Sequence, residues 1–276
     1  MSTWLITGTS AGLGRALASA VLEAGHNVVV TARDVTRVKD LADAYPGKAL
    51  ALTLEITDID QIASVVAEAE ARFGAIDVLV NNAGYGYLAA LEEGDDASVR
   101  TLFATNFFGP IALIKAVLPA MRARRSGVIV NVSSFTARMP IPGTGYYAAS
   151  KAALEGASYA LTKEVAPLGI KVMAVEPGRF RTDFAGRSIV RSAVTMDDYA
   201  QTAGKYTQHA VSTDGAQPGD PARAARVIIK AVEADKTPSL LLLGRDAVGG
   251  YDQVSAAQLA EIDAWRADSA STDFES

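Results

Sequence analysis

Two side chains four positions apart, in Tyr147-Ala148-Ala149-Ser150-Lys151, would share one face of a helix. A phenol with its ordinary pKa near 10 is a poor proton exchanger at neutrality. A neighbouring ammonium favours the phenolate and is expected to lower that value. Tyr146 stands beside the pair, but only Tyr147 has a lysine four residues later. Ser133-Ser134 closes an apolar run, with Ser134 thirteen residues before Tyr147. A hydroxyl at the carboxyl end of a strand can hold a substrate carbonyl or alcohol oxygen. The plainer readings are an exposed helix pair and two serines that merely end a strand.

A second group is the loop Thr7-Gly8-Thr9-Ser10-Ala11-Gly12-Leu13-Gly14-Arg15, which follows the first apolar run and opens a helix. Gly8 allows a sharp turn, Gly12 a close approach of phosphate, and Gly14 tight packing of helix on strand. The helix start offers free N–H groups to a pyrophosphate. The same residues also fit G-x-S-x-G, the nucleophile elbow of an α/β-hydrolase with Ser10 as nucleophile. That fold needs an oxyanion-hole loop earlier in the chain, where only seven residues precede Gly8. Its triad histidine would have to be His26 or His209.

Short apolar runs at Trp4–Thr7, Val28–Thr31, Ala49–Leu54, Val78–Val80, Val128–Val132, Val172–Val175 and Leu240–Leu243 suit strands buried on both faces. Between them lie helical patterns at about 12–24, 35–44, 59–73, 97–123, 145–166 and 221–235. The alternation predicts an α/β fold, a Rossmann-type doubly wound parallel sheet of about seven strands with helices on both faces. One domain over residues 1–276 is expected. Residues 179–220 show no clear strand and read as a substrate-loop insertion. A helical stretch is expected near 253–266, and 268–276 reads as a frayed tail.

The formal net charge is −5, with both signs interspersed, which argues against a nucleic-acid surface. Arg122, Arg124 and Arg125 sit where a helix should end and complement its dipole. With no cysteine and two histidines, neither a Cys/His zinc site nor a disulfide framework can be built. No apolar run approaches the roughly 20 residues of a membrane span. A cytoplasmic protein without a membrane span is the expectation.

Taken in order, these motifs resemble the short-chain dehydrogenase/reductase family. To the glycine loop and Tyr147/Lys151 are added Asn81-Asn82-Ala83-Gly84, an isolated Asn106, Ser134, and Pro177-Gly178 with Thr182. The resemblance covers roughly residues 3–183. It implies that Ser134 orients substrate, Tyr147 exchanges the proton, Lys151 tunes Tyr147 and holds the nicotinamide ribose, and Asn106 positions a relay water. It further implies a cofactor site formed by Gly8, Ser10, Gly12, Leu13, Gly14, Asn82, Ala83, Gly84, Tyr147, Lys151, Pro177, Gly178 and Thr182. The family commonly has aspartate near the adenine, where this chain has Glu55. Its discriminating acid sits at the end of the second strand, where Ala32 stands, followed by Arg33. Arg33 can fork onto a 2′-phosphate, which points to NADP(H) over NAD(H). Asp34 then reads as the cap of the next helix, although its count from the loop also suits an NAD ribose contact.

Candidate pocket segments are Tyr85–Leu91, Phe135–Gly145 and 179–206, offering Tyr85, Tyr87, Leu88, Phe135, Met139, Ile141 and Phe184. This composition suggests a hydrophobic ketone or secondary alcohol as the small-molecule substrate, with Arg138, Arg179 or Arg181 able to take an acidic group instead. The resemblance implies a homodimer or homotetramer. A sensor that binds NADP(H) without turnover is the alternative from another class.

Overall fold

Period-two alternation along each strand sorts its side chains into two cores. In β1 (Thr3–Ile6), Trp4 and Ile6 enter one core and Leu5 the other. Val28 and Val30 part from Val29 in the same way in β2 (Asn27–Ala32). Strands apolar on both faces must be covered on both faces, which requires helical crossovers and parallel pairing.

The computed structural model describes residues 1–212 and 215–274. The central sheet has seven strands in the order β3-β2-β1-β4-β6-β7-β9, and every neighbouring pair is parallel. Its remaining strands are β3 (Ala49–Thr53), β4 (Val78–Asn81), β6 (Gly127–Val132), β7 (Ile170–Pro177) and β9 (Leu240–Leu243). Helices α1 (Gly12–Glu23), α2 (Lys39–Ala44) and α9 (Pro221–Glu233) cover one face. Helices α3 (Ile59–Phe73), α5 (Gly109–Arg124) and α6 (Gly145–Val165) cover the other. This is the single Rossmann-type fold that the alternation predicts, with the expected seven strands.

The helix expected at 97–123 is interrupted. Helix α4 (Asp96–Phe103) passes into a π-helical turn, Ala104–Phe108, before α5 begins. Such a turn inside a helix often marks a functional position, and this one holds Asn106. The continuous stretch Asp96–Arg124 is, among the described residues, long and apolar enough to cross a membrane by length and composition alone, a test that a core helix also passes. In the fold, Leu113, Ile114, Val117 and Met121 of this stretch are spent on the core beneath the sheet. At its end, Arg124 donates to the Ile76 carbonyl and Arg125 to that of Pro167, so two of the three clustered arginines tie down backbone.

The segment expected to lack strand carries a short one. Strand β8 (Ile189–Arg191) pairs in parallel with β5 (Gly86–Leu88), a three-residue ladder between segments about a hundred positions apart. Helices α7 (Phe184–Arg187) and α8 (Lys205–Ser212) flank it. A buried carboxylate, Glu93, fastens this segment by accepting from the Ala90 and Met196 N–H groups at 3.0 and 2.7 Å. Helix α10 (Arg245–Ala270) runs three residues into the stretch expected to fray. Residues 275 and 276 lie outside the described residues.

Candidate active site

At the carboxyl ends of the central strands, a cavity of about 880 Å³ is bounded by the glycine loop, the β4 and β6 ends, and residues 177–190. Ligands of open α/β sheets bind at this edge. Every cofactor and catalytic residue expected from sequence lines it except Asn106.

The glycine loop is braced from behind. Thr7 Oγ accepts from the Asn82 and Ala83 N–H groups at 2.9 Å each, and the Asn82 amide donates to the Thr7 and Gly8 carbonyls at 2.8 and 3.2 Å. Gly8 has φ +71°, and a Cβ there would lie 2.9 Å from Ala83 Cα, so turn and close approach both demand glycine. Helix α1 starts with no side-chain cap and no acidic residue in its first turn. Its first N–H groups therefore face the cavity with their partial positive charge. Ser10 and Leu13 complete this wall, and Thr182 reaches over Gly12 from the opposite loop.

The end of β2 sorts the two candidate ribose contacts. Asp34 accepts from Thr36 N and Thr36 Oγ at 3.1 and 2.6 Å, capping its own 3₁₀ turn, and these bonds hold its carboxyl below the usual range. Arg33 is exposed at the cavity rim. Glu55, across from it, turns one oxygen back onto Thr57 N and Thr57 Oγ at 3.2 and 3.0 Å.

Deeper in, α6 presents Tyr147 and Lys151 on one face, as their spacing predicts. Burial pushes the Tyr147 phenol up to about 12, while a hydrogen bond with Ser134 works in the opposite direction. The lowering expected from Lys151 is absent in the protein alone. Lys151 instead donates to the Val132 carbonyl at 2.8 Å, and burial brings the ammonium down to about 8. Ser134 follows the end of β6 in extended backbone, and its Oγ also accepts from Thr136 N at 3.2 Å.

Asn106 is fully buried behind this group. Its amide donates to the Tyr85 carbonyl and Ser150 Oγ at 2.9 and 3.1 Å, while its oxygen accepts from Tyr85 N at 3.1 Å. The side chain thus fixes the 84–86 segment against α6. A Cβ on Gly84 would meet Asn106 Oδ1 at 3.0 Å and Lys151 Nζ at 3.2 Å, so glycine is what lets the three groups converge.

The match to the short chain dehydrogenase family model spans residues 2–190. The chain belongs to that family. A crystallised short-chain dehydrogenase from Streptomyces avermitilis is 44% identical, with a TM-score of 0.92 over 99% of this chain and 100% of that one. The 3-ketodihydrosphingosine reductase of Bacteroides thetaiotaomicron is 41% identical over 199 residues, 72% of this chain and 71% of its own. A metagenomic short-chain oxidoreductase in complex with NADP is 28% identical, with a TM-score of 0.68 over 88% of this chain and 96% of that one. The protein is thus an oxidoreductase by family, and the hydrolase reading of Ser10 lapses. Of its two candidate histidines, His26 contacts Ser2 and Glu233 and precedes β2, at the opposite end of the parallel strands from Ser10. His209 lines the cavity with Ser10, so it is the family match that closes this reading.

In this short-chain dehydrogenase several expected pocket residues turn elsewhere. Tyr87 is core, its hydroxyl accepting from Asp95 N at 3.1 Å. Phe135 is buried against Gly250, Met139 faces solvent, and Arg138 and Arg181 are taken up by Glu176 and the Gln217 carbonyl. Tyr85, Leu88, Ile141 and Phe184 do line the cavity, joined by Ile189, Val190, Thr144 and Tyr206 from the same expected segments, with the Phe184 ring 6.1 Å from that of Tyr147. No periodic signal marks Ile189 and Val190, because their segment takes its shape from the β5–β8 pairing.

Proposed function

We propose that this short-chain dehydrogenase transfers a hydride between NADP(H) and a hydrophobic ketone or secondary alcohol, with Tyr147 exchanging the proton. The observation that carries the reading is one cavity in which the uncapped α1 start and Arg33 stand at one end and the Ser134–Tyr147–Lys151 group at the other.

The residues fit the cofactor. The glycine loop and α1 N–H groups would hold a pyrophosphate, Arg33 a 2′-phosphate, and Tyr147 with Lys151 the ribose nearest the chemistry. Asp34 is committed to its own turn, which favours NADP(H) over NAD(H), as does the NADP named for the metagenomic relative. Pro177, Gly178 and Thr182 line the wall where the carboxamide would lie. When bound, the nicotinamide supplies or accepts the hydride.

The chain's own part is orientation and proton handling. Ser134 and Tyr147 line the same cavity and converge on the place for a carbonyl oxygen. With burial raising its pKa, the Tyr147 phenol is protonated at neutrality, the form that carbonyl reduction requires, and a cationic oxidised nicotinamide beside it would favour the phenolate left behind. Leu88, Ile141, Phe184, Ile189 and Val190 wall the substrate end, which suits an apolar chain on the ketone. The Bacteroides relative is named for reducing a ketone, 3-ketodihydrosphingosine, which supports a ketone as substrate here.

Calorimetric titration with NADPH and NADH, followed by turnover on hydrophobic ketones, tests the reading. Tight NADPH binding with NADPH oxidation on adding an aliphatic ketone supports it. Binding without turnover on any carbonyl or alcohol would favour a sensor, and no binding of either dinucleotide would refute the proposal.

A further inference from the structure

Behind the reacting group lies a second set of ionisable residues that the chemistry above does not use. Glu155, one helical turn beyond Lys151 on α6, and Glu176, on β7, are both buried. Glu155 takes a hydrogen bond from Ser133 Oγ, next to Ser134, and Ser133 Oγ also reaches the Lys151 carbonyl at 3.4 Å. Glu176 accepts from Arg138 Nε at 2.7 Å, and the same guanidinium lies 3.6 Å from Glu155. Arg138 also donates to the Tyr159 hydroxyl at 2.6 Å and lies over the Tyr251 ring.

Arg138 thus brings two buried carboxyls onto a single guanidinium. One guanidinium cannot balance two buried carboxylates, so one of the pair holds its proton near neutrality. Glu176 Oε2 is, among the described residues, a buried oxygen with no hydrogen-bond partner, so this carboxyl is held by Arg138 through its other oxygen alone. The direct bond from Arg138 keeps the negative charge on Glu176 and leaves the proton with Glu155. Burial and the like charge raise Glu155 to about 7, against Ser133 and Arg138. Glu155 is in turn the charged side chain that acts on Lys151.

We propose that Glu155, one turn beyond Lys151 and joined to it through Ser133, is a positioning residue that sets the charge of Lys151 from behind the active site by giving up its own proton. Below neutrality the pair carries one negative charge, balanced by Arg138. As pH rises, Glu155 ionises and a second negative charge arrives beside Lys151 at the point where burial would otherwise strip its proton. The ammonium is thereby retained further into the alkaline range. The groups facing the pair are Lys151 and Tyr159 on its own helix, Ser133 after β6, and Arg138 backed by Tyr251 of α10. The proposal rests on the reading of Tyr147 and Lys151 as the reacting pair.

The test is a pH titration of the full-length protein labelled with ¹³C at the lysine ε-carbon, the Lys151 resonance being assigned by its loss in Lys151→Met. The wild type should show two inflections, one from Glu155 and a later one from Lys151 itself. In Glu155→Gln, which keeps the hydrogen bonds and removes the charge, a single inflection should remain, lower than the wild-type lysine step by about one pH unit. The alkaline limb of kcat/KM with NADPH and a ketone should move down by the same amount. In Glu176→Gln the limb should stay in place, because Glu155 then ionises earlier. A single inflection in the wild type overturns the proposal, even if Glu155→Gln does not fold. So do coincident wild-type and Glu155→Gln curves, or equal shifts in both variants, which would mark a merely structural role. The NMR readout needs no turnover, so an inactive wild type with two inflections would count against the functional reading alone.

Discussion

The Lys151 ammonium lies 2.8 Å from the Val132 carbonyl oxygen and ties α6 to the end of β6. The bond sets the height of α6 over the sheet, and with it the position of Tyr147 one turn earlier. It also holds a lysine in surroundings that bring its pKa from 10.5 down to about 8.

That depression has a sign that can be checked. Between pH 8 and 10.5 the unfolded chain holds a proton that the native protein lacks, so stability should rise with pH across this window. Below it, native Lys151 is charged at the expense of stability. Lys151→Met should therefore be more stable than wild type at pH 7 by about 1–3 kcal/mol, lose the upward slope, and lose activity. Urea unfolding at a series of pH values measures all but the last. A destabilised, unsloped variant would mean that the Val132 bond outweighs burial.

Tyr147→Phe removes one hydroxyl from a cavity wall. Turnover should drop by about 10²–10⁴, the range of a lost general acid, while NADPH affinity by calorimetry stays within about threefold, since phosphate and 2′-phosphate contacts supply most of the binding. Retention of full turnover would remove Tyr147 from the chemistry.

Arg33→Ala tests the choice of cofactor. A lost charge-assisted pair should weaken NADPH binding by about 10–100-fold, on the order of 1.5–3 kcal/mol, and leave NADH binding nearly unchanged. Equal loss for both dinucleotides would place Arg33 elsewhere than at the 2′-phosphate.

Gly8→Ala puts a Cβ at φ +71° and 2.9 Å from Ala83 Cα. Strain and displacement of the braced loop should lower stability by about 1–3 kcal/mol and weaken NADPH binding at least tenfold. Thermal unfolding and calorimetry on one preparation read both.

Glu93→Ala would leave the Ala90 and Met196 N–H groups without their shared acceptor. Because these bonds fasten the segment that carries part of the pocket wall, the expected result is a raised KM for ketone with NADPH affinity preserved. An unchanged KM would separate this fastening from substrate binding.

Local chemistry by itself determined the strand–helix alternation, the glycine loop and the Tyr147/Lys151 pair, because apolar periodicity, glycine spacing and an i,i+4 relation are written in neighbouring residues. It also showed Asp34 as a cap, since Thr36 supplies both its partners two residues away. Tertiary structure alone decided the substrate wall. The β5–β8 ladder joins residues a hundred positions apart, and it turns Ile189 and Val190 to the cavity while Tyr87, equally apolar in sequence, goes to the core. The same holds for the state of the reacting group. Spacing put a lysine beside a tyrosine, but burial, the Val132 carbonyl and the buried Glu155–Glu176 pair govern their protons. Desolvation and hydrogen bonding depend on what the fold packs around a side chain, and no local pattern carries that information.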